Sequence, residues 1–95
     1  MKNLEEDIKL YNGLVEDFNN LDSSDYATAY ALSQLALSLA DRWNEIMLNS
    51  VKYSKELTYT KSEFTTYCYQ KYKILMKIHE FARMVWRQGE ENARL

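Results

Sequence analysis

The chain has 95 residues, no proline, two glycines, one cysteine and one histidine, with 46% hydrophobic and 27% charged side chains and a formal charge of −2. That apolar fraction suits one packed domain and is too high for a disordered chain, and turn residues this sparse exclude a sandwich or barrel built from many tight turns. A lone cysteine closes no internal disulfide, no apolar run approaches the roughly 18 residues of a membrane span, and residues 1–7 lack the apolar segment of a secretory signal, so the expectation is a reducing, cytoplasmic setting with no membrane.

The first predicted element is a helix over residues 4–20. Asn3 followed by Glu6 fits an N-cap with a carboxylate in the first turn. Leu4, Ile8, Tyr11, Val15 and Phe18 form an apolar stripe, with Glu5, Lys9, Asn12 and Glu16 opposite. Gly13 sits on the polar side and weakens the helix by roughly 1 kcal/mol relative to alanine. Residues 19–25, Asn-Asn-Leu-Asp-Ser-Ser-Asp, read as a loop because their side chains compete for backbone hydrogen bonds. Asp22 or Ser24 is the expected cap of the next helix.

The second helix is predicted over residues 23–57, roughly 50 Å long. Leu32, Ala36, Leu39, Trp43, Ile46, Ser50, Tyr53 and Leu57 recur at alternating steps of four and three, the heptad pattern of a helix lying along a partner. Its apolar arc is wide enough to require two neighbours. Leu32, Leu35, Leu39, Trp43, Ile46 and Tyr53 are therefore expected to serve self-association as well. A break is expected at residues 58–60, where Thr60 and Glu63 match a capping box. Without it the second and third helices would merge into one rod, which would have to be an intermolecular coiled coil.

The third helix is predicted over residues 61–88. Its inner face reads Phe64, Tyr67, Cys68, Lys71, Ile74, Leu75, Ile78, Phe81, Ala82, Val85 and Trp86. Gly89 is expected to end it, leaving residues 89–95 frayed. The resulting fold is all-α, a single domain over residues 1–95. It is a long antiparallel hairpin with a shorter N-terminal helix, a three-helix bundle that dimerises through coiled-coil-like packing.

Chemistry is sparse. Cys68 and His79 are the only soft ligands and lie about 16 Å apart along one helix, so they cannot share a metal, and no cofactor is expected. Cys68 reads as a buried thiol and His79 as a boundary packing residue. No glycine-rich phosphate loop or nucleophile elbow is present, and one histidine leaves little to activate the hydroxyls, so an enzyme is not expected.

The suggestive surface is the outer face of the third helix, where Tyr69, Lys73, Met76, Lys77, Arg83, Met84 and Arg87 fall together by helical phase. Cations mixed with apolar side chains suit a protein docking surface. They also suit single-stranded nucleic acid held through phosphates and base stacking. A solvated face is the plain alternative. Charge is also polarised along the chain. Residues 1–50 hold three basic residues against nine acidic ones, a balance of −6, whereas residues 51–95 hold nine against five, +4. The acidic half faces either the basic half or a partner.

Three tracts, Leu39-Ala40-Asp41-Arg42-Trp43, Tyr53-Ser54-Lys55-Glu56 and Tyr67-Cys68-Tyr69-Gln70-Lys71-Tyr72-Lys73, give residues 35–75 a texture that resembles the small helical proteins bacteriophages and prophages encode among their early and accessory genes. The resemblance implies a cytoplasmic protein that binds a larger protein and modifies its behaviour: an inhibitor of host defence, or a modulator of replication or recombination. No functional residue carries over from it.

Overall fold

The computed structural model describes residues 4–50, 52 and 60–93, and within these the chain is all-α. Three helices run up, down and up: α1 (Leu4–Asn19), α2 (Tyr26–Leu48) and α3 (Lys61–Ala93). The molecule measures 54 × 19 × 18 Å. Its long dimension is that of α3 alone, since 33 residues at 1.5 Å each span about 50 Å.

Local signals set most of the boundaries. Asp22 folds the connecting loop by accepting from the Ser24 backbone N–H at 2.9 Å and from the Ser24 hydroxyl at 2.7 Å. Asp25, rather than Asp22 or Ser24, caps α2: its carboxylate accepts from the Thr28 N–H at 3.1 Å and from the Thr28 hydroxyl at 2.7 Å. Thr60 caps α3 by accepting from the Glu63 N–H at 3.2 Å, one half of the expected capping box. Thr58 and Tyr59 lie outside the described residues.

Two boundaries differ from expectation. Helix α2 stops at Leu48; Ser50 and Lys52 beyond it are again helical, and residues 51 and 53–57 of the expected span lie outside the described residues. Asn49 turns its own side chain onto the Glu45 carbonyl at 2.8 Å, while its backbone N–H donates to the Glu45 and Ile46 carbonyls at 3.1 and 3.2 Å. An asparagine amide that competes for the carbonyls of the preceding turn ends the helix although the apolar repeat continues. At the other end, α3 runs straight through Gly89 to Ala93. Gly89 has no positive φ and is not a helix cap. It lies against the Tyr26 ring, where a Cβ would come within 3.0 Å of three ring carbons. The glycine serves close approach of α3 to the start of α2, and Asn92 adds a 3.3 Å hydrogen bond to the Tyr26 hydroxyl.

The core runs the length of the hairpin. Leu32, Ala36, Leu39, Ala40, Trp43 and Ile46 of α2 meet Phe64, Cys68, Leu75, Ile78 and Ala82 of α3, and Leu4, Tyr11 and Leu14 of α1 close one side. Trp43 is fully buried and packs edge-on to Tyr11 and Tyr67, with ring centroids 6.4 and 5.9 Å away. Among the described residues its indole N–H finds no hydrogen-bond partner, which costs roughly 1–3 kcal/mol against the burial of its ring.

Polar links join the helices in pairs. Arg42 of α2 grips Asp7 of α1 through two hydrogen bonds of 3.2 and 3.3 Å, and it also lies 3.5 Å from Glu45. Asp7 is only 8% exposed, so this pair fixes how α1 docks. His79 of α3 meets Ser33 of α2, with Nδ1 2.8 Å from the Ser33 carbonyl and the Ser33 hydroxyl 3.3 Å from the His79 carbonyl. Both contacts are satisfied when Nδ1 carries the proton and the hydroxyl donates.

Candidate functional site

Helix α3 presents two unlike faces. The inward one repeats at Phe64, Cys68, Leu75, Ile78 and Ala82, all buried. Lys71 falls in the same stripe and is half-buried. Its ammonium lies 4.1 Å from the centroid of the Tyr11 ring, 4.6 Å from Tyr67 and 5.9 Å from Trp43. Burial pushes the Lys71 pKa down, and the neighbouring Cys68 opposes that shift. Burial also pushes the Cys68 thiol up to about 11, with Lys71 opposing. The three rings let a cation sit in the core stripe, because cation–π attraction replaces a carboxylate partner. Lys71 therefore clasps α1 to the hairpin.

On the outward face, Tyr69 is 49% exposed and Met84 66% exposed. Lys73, Lys77, Arg83 and Arg87 are also exposed. The Lys73 ammonium stands 5.2 Å from the centroid of the Tyr69 ring. Among the described residues, none of these four cations lies within ion-pair distance of a carboxylate, whereas Arg42 pairs with Asp7 and Glu45. Glu80, Arg83, Met84 and Arg87 line a shallow depression of about 290 Å³.

Three positions depart from the helical-phase reading. Met76 was expected on the outer face and instead packs half-buried against the core. Phe81 and Ile74 were expected inside and are 60% and 42% exposed. The cause is the size and position of α1. It fills the groove on one side of the hairpin only down to the level of Phe18, whose ring meets Phe81 edge-on at 6.4 Å, and leaves the outer edge of α3 uncovered. Val15, Phe18, Asn19, Ile74, Lys77, Ile78 and Phe81 line the open groove that results, about 280 Å³ in volume.

The residues expected to serve self-association lie elsewhere. Leu32, Leu39, Trp43 and Ile46 are buried in the core of the single chain, at 6% exposure or less. The heptad stripe of α2 is covered from within, by α3 and α1 together, whereas Tyr30 and Leu48 of the wider apolar arc stay 45% and 74% exposed. Leu35 remains 43% exposed, and Tyr53 lies outside the described residues. Among the described residues, no group of three His, Cys, Asp or Glu side chains comes together to hold a metal, and no helix is long and apolar enough to cross a membrane.

The fold and surface define an all-α helical bundle with a basic, partly apolar outer face. Comparison of the chain with protein families, curated proteins and solved structures finds no match.

Proposed function

We propose that the chain is a non-enzymatic protein-binding module that docks on a larger protein through the outer face of α3. The observation that carries this reading is the set Tyr69, Lys73, Arg83, Met84 and Arg87. Two large exposed apolar side chains stand among cations that have no carboxylate partner within the chain's described residues. Apolar area supplies affinity, and unpaired charge supplies orientation and rate of encounter, to a partner of opposite charge. The role of inhibitor or adaptor implied by the phage-type resemblance belongs to this proposal, as does a cytoplasmic location. Self-association belongs to it too, through a surface other than the buried stripe of α2.

A second reading, an accessory protein for single-stranded nucleic acid, is favoured by the spacing of the cations. Lys73, Lys77, Arg83 and Arg87 extend over about 21 Å of helix, with the Tyr69 ring beside Lys73 as a stacking platform. A structural or assembly coiled coil is the third reading; it was favoured by α2 and α3 forming one rod, a support it lacks where the two fold back on each other.

Affinity capture from a lysate of the source cells, with and without nuclease, tests the two readings. A protein that survives nuclease and is lost when Arg83 and Arg87 are changed to glutamate supports the docking module. A catch that vanishes with nuclease, and a binding constant that falls steeply with salt, moves the assignment to nucleic acid.

A further inference from the structure

An open groove lies between α1 and α3. Helices α1 and α3 run parallel. Tyr11 lies beside Lys71 and Phe18 beside Phe81, so Glu16 stands at the height of Lys77 across the groove. Both are exposed, and neither forms an ion pair with a described residue. On the α1 flank of the groove the charge is Glu16, one turn before Asn19; Asp7 of the same helix turns to α2, where Arg42 holds it. The flank on α3 is basic at Lys77. Between them runs an apolar seam of Val15, Phe18, Ile74 and Phe81, with the Phe81 ring standing 60% exposed at its edge.

A face ordered acid, apolar, base across its width is self-complementary under one operation. A two-fold axis parallel to the helices exchanges left and right while keeping every residue at its own height. It therefore lays α1 of each copy over α3 of the other. An axis perpendicular to the helices would instead set α1 on α1 and α3 on α3, acid against acid and base against base.

We propose that two copies pair in parallel through this seam. Phe81 of each copy enters the groove of the other, and Glu16 of each faces Lys77 of the other. The contact goes beyond the docking role assigned above. It uses the edge of α3 nearest α1 and leaves Tyr69, Arg83 and Arg87 free on the far side, so a dimer would carry two docking faces.

Sedimentation of the full chain across about 1–100 µM, together with two charge-reversed variants, tests the pairing. The wild-type chain is expected to approach the mass of two chains. Glu16→Lys alone and Lys77→Glu alone are each expected to weaken the dimer about tenfold or more, since like charges then meet twice. Mixing the two variants is expected to restore a heterodimer near wild-type strength, because both contacts become opposite in sign again. Phe81→Ala is expected to weaken pairing while leaving helicity by circular dichroism unchanged. A wild-type chain that stays monomeric throughout the range overturns the proposal. So does a dimer that ignores both reversals, or a mixture that recovers nothing. The restored heterodimer also shows that both variants are folded.

Discussion

Lys71 occupies a position that periodicity assigns to the core, and its three aromatic neighbours explain why it is tolerated there. Together with Cys68 and Tyr11 it makes the alkaline behaviour of the fold predictable. Burial raises the Cys68 pKa from 9.0 to about 11 and raises that of Tyr11 from 10.0, so both groups contribute stability that is complete below those ordinary values and is lost as pH rises through the shifted ones. Lys71 is lowered from 10.5, so its contribution has the opposite sign: stability rises with pH between its lowered value and 10.5. Cys68→Ala removes one of the two destabilising ionisations. The variant is expected to lose less stability between pH 9 and 11 than the parent, by up to about 2–3 kcal/mol in urea titrations at each pH. A parallel decline in both chains would mean that Cys68 is not the group titrating. The Asp7–Arg42 pair gives a second prediction at this scale. Arg42→Ala leaves the Asp7 carboxylate largely buried without its cation and is expected to cost about 1–3 kcal/mol, and Asp7→Asn in the same background is expected to recover part of that loss. Neither feature was legible from sequence. Periodicity gives the face on which Lys71 lies but not the rings contributed by α1 and α2, and Asp7 and Arg42 are 35 positions apart on helices whose relative rotation is set only by packing.

The helices themselves were legible where local chemistry and apolar period agree, and were misread where they compete. Residues 4–20 were expected and Leu4–Asn19 formed; Thr60 caps α3 as its pairing with Glu63 suggested. The heptad stripe runs on in the sequence to Leu57, yet α2 stops at Leu48, because the Asn49 side-chain amide bonded to the preceding turn interrupts the helix before Ser50. The two glycines separate the same two influences and make opposite predictions. A methyl at Gly13 meets nothing within 4 Å, so Gly13→Ala is expected to stabilise the chain by about 0.5–1 kcal/mol by removing freedom from the unfolded state. A methyl at Gly89 meets the Tyr26 ring, so Gly89→Ala is expected to destabilise by about 1–3 kcal/mol as the end of α3 is pushed off α2. Unfolding midpoints of both variants check this. A double-mutant cycle with Tyr26→Ala isolates the cause, since the cost at position 89 should largely disappear once the ring is gone.

For the whole molecule, the bundle is unevenly bound together. Helices α2 and α3 share the long core and the Ser33–His79 contact, whereas α1 holds on through Leu4, Tyr11, Leu14, the Asp7–Arg42 pair and the Lys71 clasp. All-α character and a hairpin with one shorter helix followed from composition and period alone. Which side of the hairpin α1 covers did not, and that choice exposes Phe81 and Ile74 and buries the stripe once expected to join two chains. An element held by few buried side chains opens before the rest. Native-state hydrogen exchange is therefore expected to place the amides of Leu4–Asn19 in a unit that opens at lower free energy than the buried turns of α2 and α3. Arg42→Ala should lower the opening free energy of that unit and the global value carried by the amides around Ala36 and Leu75 by about the same amount, because the Asp7–Arg42 pair is broken in both openings, so the gap between the two units persists. If the three helices instead exchange at one common free energy in the parent and in the variant, α1 is an integral part of one cooperative unit. The seam between α1 and α3 would then be a rigid surface rather than one that forms only when α1 is docked.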